Sequence, residues 1–289
     1  MNNEDIKDPI FRKAVEAIDH GDIVELETLL NQNHYLIKDR LDFPGKGYFA
    51  NPYLLWFVAD NPIRHEKLPG NIVDITRVLI DHAKKESPDN LQYQLDYTLG
   101  LVDTGRIPRE SGVQIDLMDL LIDSGAVPGQ GKGAIAHGNL DAARHLLKRG
   151  AKISLTVAVS LDLREEAERL FAESENDERI TALAAAAFLG KADMISWLLK
   201  KGVSPNGYPP QNSGFHSHAT PLHQAVFSGS MESVKLLLAA GASLDSRDRV
   251  YDGTPLGWAE YMISEESNEE NIERFREIAN YLRTMTDER

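Results

Sequence analysis

The 289-residue chain contains no cysteine. That excludes disulfides, iron–sulfur clusters, thiolate zinc sites and cysteine nucleophiles. Long apolar runs are also missing. The longest, Ala182 to Leu189, falls far short of the roughly 20 residues a membrane-crossing helix needs. Positive charge is scarce: 31 lysines and arginines stand against 45 aspartates and glutamates, a net charge of −14. That balance argues against gripping the nucleic-acid backbone and against docking on anionic membranes. The opening Met1-Asn2-Asn3-Glu4-Asp5-Ile6-Lys7-Asp8-Pro9 has neither the basic nor the apolar part of a secretory leader. The expectation is a cytoplasmic protein with no nucleic-acid or membrane partner.

What the sequence does hold is clearest at residues 219–246. Thr220 can cap a helix beginning at Pro221, where a missing N–H goes unnoticed. Leu222, Ala225 and Val226 form its apolar stripe, and Gly229 ends it. A second helix from Met231 carries Val234, Leu237 and Leu238 on one face and stops at Gly241. Two such short helices cannot bury their apolar faces alone and need a copy on each side. Copies are present. Thr254-Pro255-Leu256 with Ala259 restarts the pattern 34 residues after Thr220, and Thr181-Ala182-Leu183 precedes it by 39. Weaker traces run through Ala136 to Ala151, Leu120 to Ala126 and Ala17 to Leu30.

The run Thr220, Pro221, Leu222, His223 and Ala225 resembles the signature of the ankyrin repeat. The chain as a whole looks like a bacterial ankyrin-repeat protein. The resemblance implies an all-α solenoid of about seven to eight helix-turn-helix repeats, joined by β-turn fingers, as one domain over 1–289. The most regular repeats are 179–206, 219–246 and 253–289; degenerate ones cover 8–38, 50–84, 91–127, 130–152 and 153–175. A helix is expected from Tyr53 to Val58. Turn-rich stretches are expected at 39–52, at Asn61 to Gly70 and at Thr104 to Gly112. Ile272 to Leu282 should cap the stack, with Glu273, Arg274, Arg276 and Glu277 outward.

Candidate chemistry is sparse. His216 and His218 form an H-x-H pair that would bind a metal only if a third ligand converged. The resemblance gives His223 a structural role, its ring tying one repeat to the next. Gly129-Gln130-Gly131-Lys132-Gly133 lacks the spacing, the hydroxyl and the preceding strand of a phosphate loop. Arg64, Arg106 and Arg109 lie in lengthened turns and offer an anion site only if they meet. No catalytic pairing stands out, so no enzyme, cofactor or metal is expected.

The partner surface is read from register. In the ankyrin pattern the positions just before the first-helix glycine face the concave groove. Phe188 and Phe227 each stand two before such a glycine, and Tyr261 follows Thr254 by seven as Phe227 follows Thr220. The 206–220 finger adds Tyr208, Phe215, His216 and His218. The expected function is protein–protein interaction. Phe188, Phe227, Tyr261, Phe215, His216, His218 and Tyr251 would contact the partner, with Arg247 and Arg249 at the rim. The alternative is a metal- or small-molecule site around His216, His218 and Arg64. Two arrangements of the rings remain open at this level: exposed to a partner, or covered by the long finger folding back.

Overall fold

The computed structural model describes residues 3–43, 47–211 and 213–287. Pro44, Gly45 and Lys46 of the expected first turn and Asn212 of the long finger lie outside the described residues. Every regular element among the described residues is helical. The chain divides into two compact units, Met1–Lys152 and Ile153–Arg289.

The first unit holds four helical pairs among its described residues. Helices α1 (Pro9–His20) and α2 (Ile23–Gln32) form the first, followed by the short α3 (Tyr35–Lys38). Asp8 caps α1 by accepting from the N–H groups of Ile10 and Phe11 at 2.8 and 3.0 Å, with Pro9 in the first turn. Phe11, Val15 and Ile18 are buried, as the spacing predicts. In the second pair the helix expected from Tyr53 is a short 3₁₀ segment, Leu54–Ala59, facing α4 (Ile72–Glu86). Asp60 stops it. Its backbone is left-handed at φ 43, and its carboxylate accepts from the N–H groups of Arg64, His65 and Glu66. Those donors would otherwise be orphaned by the lengthened turn.

The third pair is α5 (Pro88–Thr104) with α7 (Gln114–Asp123), and the turn expected at Thr104–Gly112 folds as its own helix, α6 (Arg106–Glu110). The fourth is α8 (Lys132–Ala136) with α9 (Leu140–Lys148). A buried amide joins these two pairs: Asn139 Nδ2 donates to the Asp103 carbonyl at 2.8 Å.

Among its described residues the second unit also has four pairs: α10 (Leu155–Ser160) with α11 (Arg164–Glu173), α12 (Asn176–Phe188) with α13 (Ala192–Lys200), α14 (Pro221–Phe227) with α15 (Met231–Ala239), and α16 (Pro255–Glu265) with α17 (Glu269–Asp287). The first helices α10, α12, α14 and α16 stack side by side, and α13, α15 and α17 line up behind them. Ala182 and Ala184 to Ala187 are completely buried in α12, so two neighbours can approach its backbone closely. Leu183, Ile195, Leu198, Leu222, Val226, Val234 and Leu237 fill the core. Helix α17 closes the end with Phe275, Ile278 and Leu282 buried and Glu273, Arg274, Arg276 and Glu277 exposed. A polar outer face on a terminal repeat keeps the stack from growing further.

Candidate functional site

The site is built where first helices end. Phe188 closes α12 and Phe227 closes α14, each followed two residues on by a glycine in the left-handed region, Gly190 at φ 65 and Gly229 at φ 67. A side chain would be strained there, so glycine fixes where the chain turns away. Equivalent positions in neighbouring repeats bring the two rings into a stack, 5.4 Å apart and 11° from parallel.

The long finger folds back over this pair. The His216 ring stands near-perpendicular to Phe227 at 4.8 Å, Phe188 at 5.6 Å and Trp258 at 5.5 Å. Phe215 packs edge-on against Phe188 at 5.7 Å and is 0% exposed. From α14, the buried Gln224 donates through Nε2 to the carbonyls of Phe215 and His216 at 2.9 and 3.1 Å. Burial, with a smaller push from His218, lowers the His216 pKa below its ordinary value; the Gln224 amide opposes the fall.

Two expectations about this surface are corrected. Phe215 is core, because the finger turns it inward under Phe188, so it does not face a partner. The row of three rings contains two. Helix α14 ends at Phe227, but α16 runs on past Tyr261 to Glu265, which leaves Tyr261 62% exposed and outside the ring contacts found among the described residues. Trp258 takes the third place, four residues after Thr254 as Gln224 is four after Thr220.

A second finger is built on Asp248. Its Oδ1 accepts from the N–H groups of Val250 and Tyr251 at 2.9 and 2.7 Å; its Oδ2 accepts from Gly253 N–H at 2.9 Å and Trp258 Nε1–H at 3.0 Å. Burial alone would raise its pKa, but these four donors, Trp258 foremost, hold it at about 2. The closed turn holds out Val250, 61% exposed, and Tyr251, 77% exposed.

The two fingers are joined. Arg249 N–H donates to the His218 carbonyl at 2.8 Å, its guanidinium lies 4.0 Å over the Tyr208 ring, and Tyr208 OH donates to the Arg247 carbonyl at 2.7 Å. Arg247 reaches Asp252 at 3.0 Å on the exposed edge. Below them, His223 Nε2–H donates to the Gly253 carbonyl at 3.0 Å, while Nδ1 accepts from Thr220. That pattern defines a neutral ring, and burial lowers its pKa accordingly. His223 thus ties one repeat to the next, as the resemblance implies.

The remaining candidates do not converge. His216 and His218 lie 5.7 Å apart, and among the described residues no group of three histidine, aspartate or glutamate side chains is placed to hold a metal ion. The arginines are engaged separately. Arg64 is buried against Asp19 at 2.7 Å and Asp60 at 3.7 Å, Arg106 pairs with Glu110 at 2.9 Å, and Arg109 donates to Asn139. The glycine-rich stretch at 129–133 leads into the five-residue α8. Sequence reasoning missed Trp258 and the turn-closing role of Asp248, which it weighed only as a possible third metal ligand beside His216 and His218. The available signal was an aspartate five residues before a glycine in the turn that precedes a threonine cap.

Residues 134–248 match the family model "Ankyrin repeats (3 copies)". A similar solved structure is the crystal structure of the human ASB11 ankyrin repeat domain, with 18% identity over 87% of this chain and 91% of that one, at a TM-score of 0.32. No curated protein matches. Over residues 134–248 the chain carries ankyrin repeats. Repeats of this family are generally modules of protein–protein interaction. Among the described residues no helix is long and apolar enough to cross a membrane.

Proposed function

We propose that this chain is a non-catalytic recognition module that binds another protein through the finger side of its second unit. Tyr251 is the leading contact, with Tyr261 and the Val250 side chain as further contacts and Arg247 and Arg249 at the rim. His216, His218, Phe188 and Phe227 form the half-buried bed behind them. The observation that carries this reading is the Asp248 turn. Four hydrogen bonds fix a loop whose tip holds a large aromatic ring in solvent. A rigid exposed tyrosine loses little entropy when bound and desolvates a large area, which is what an interface anchor requires.

Affinity capture from the native host with the wild-type chain and with a Tyr251→Ala, Tyr261→Ala double variant tests it. The expected result is a stoichiometric protein partner whose affinity for the variant falls by more than about 1 kcal/mol, with an unchanged melting temperature. Equal retention by both chains would refute the assignment of this surface.

A further inference from the structure

Helix α5 ends in a tight corner against α6, and two neutral amides fasten it. Gln114 Nε2, from α7, donates to the main-chain carbonyls of Val102 at 2.9 Å, Asp103 at 3.3 Å and Gly105 at 3.4 Å. Asn139 Nδ2 donates to the Asp103 carbonyl at 2.8 Å, and its Oδ1 accepts from Arg109 on α6. Both amide residues are buried. There is no slack between the two helices: a Cβ on Gly105 would lie 2.8 Å from the Leu101 carbonyl and 2.9 Å from Pro108 Cδ.

The Asp103 side chain is shut into this corner. The ionisable groups on the elements packed around it are Asp60, Arg64, His65 and Glu66 after the 3₁₀ segment, Arg106, Arg109 and Glu110 on α6, Asp116 on α7, and Lys132 and His137 at the two ends of α8. None of them supplies the cause of its shift: burial alone raises the carboxyl to about 7. A neutral acid has an O–H to give to the carbonyls gathered at a helix end, whereas a carboxylate has only lone pairs and is repelled by them. The N–H groups at hand belong to Gln114, Asn139 and Arg109, and each already helps hold the corner. Turning them to a charged Asp103 releases the carbonyls and α6 together; leaving them in place strands a buried charge.

We propose that Asp103 is a proton-operated latch on α6. Protonated, it keeps the corner closed; charged, it frees residues 106–110 from the end of α5. The consequence falls on a cavity of about 660 Å³, whose wall includes Arg106 of α6 and its neighbour Thr104, together with Tyr48, Asn61, Tyr97 and Leu101. The latch lets a change of pH near neutrality reshape that wall. It lies in the first unit and does not depend on the recognition surface assigned to the second.

Hydrogen exchange of the full chain at pH 6 and pH 8, divided by the intrinsic rate at each pH, tests the latch. The reporters are the amides of Ser111, Gly112 and Val113, which donate to the carbonyls of Ile107, Arg109 and Pro108 at 2.9, 3.0 and 3.1 Å and are protected while α6 stays in place. An acid at about 7 in the closed corner and at an ordinary value of about 3.9 in the open one makes protection fall about ten-fold between the two pH values. The Asn33 amide, bonded to the Leu29 carbonyl at the end of α2, should keep its protection. Asp103→Asn should abolish the fall at the corner.

Unchanged protection at Ser111, Gly112 and Val113 in the wild type would overturn the proposal, and so would the same fall in Asp103→Asn. An equal fall at Asn33 would show that proton loss is linked to unfolding of the whole chain and not to this corner, and the latch would be lost. The wild-type measurements decide the matter even if the variant does not fold.

Discussion

Replacing Asp103 with asparagine should stabilise the protein at pH 8 and have little effect at pH 4. Asp103 lies in the last turn of α5, 7% exposed, with its main-chain carbonyl taken by the Asn139 and Gln114 amides. Burial raises its carboxyl from 3.8 to about 7. The helix C-terminus adds a further reason to disfavour negative charge there. Between pH 4 and 7 the folded chain therefore keeps a proton that the unfolded chain has released. Stability must fall as pH rises through that window and level off above about 7.

The full loss is about 4 kcal/mol, and more than half of it falls between pH 5 and 8. Asp103→Asn has no proton to lose, so its own curve lacks this slope. Urea melts of both chains at pH 5 and pH 8 measure the difference, and other titrating groups cancel in the comparison. The variant's advantage should grow by about 2–3 kcal/mol from the lower to the higher pH. An advantage that is the same at both values would refute the reasoning.

Other outcomes follow from the same contacts. Phe227→Ala removes one half of a stacked pair and a wall of the His216 seat, so thermal unfolding should show a loss of about 1–3 kcal/mol; a melting temperature equal to wild type would mean the rings stand free. The Asp248 carboxylate, held at about 2, contributes about 2 kcal/mol that is present above pH 4 and lost as pH falls towards 2. Asp248→Ala should therefore unfold more readily at pH 7, and the gap to wild type should close on acidification; a constant gap would show that the four hydrogen bonds favour neither protonation state.

The repeat between Thr220 and Gly241 was legible because each of its signals is local. A capping threonine, a proline in the first turn, His223 and two glycines act within one helix pair, and the structure uses them as read. The first unit was harder. Asp60 ends a 3₁₀ segment where apolar spacing alone suggests a helix, and α6 forms inside a turn rich in breakers. The arrangement of the rings was hidden for a different reason. Whether Phe188 and Phe227 face solvent depends on where a long finger goes, and that path is fixed by Gln224, Trp258 and the second finger, far apart in sequence. Periodicity places a ring on a helix face but says nothing about what later covers it. Tyr261 shows the same limit: its spacing from Thr254 copies that of Phe227, yet α16 continues where α14 stops.

Hydroxyl-radical footprinting of the free protein tests the account most directly, because it reads the exposure of each ring in one experiment. Tyr251 and Tyr261 should oxidise fastest, Phe188 and Phe227 slowly, and Phe215 hardly at all. Oxidation of Phe215 at the rate of Tyr251 would show that the finger does not cover the stacked rings, and the folded-back arrangement of residues 213–219 would be lost.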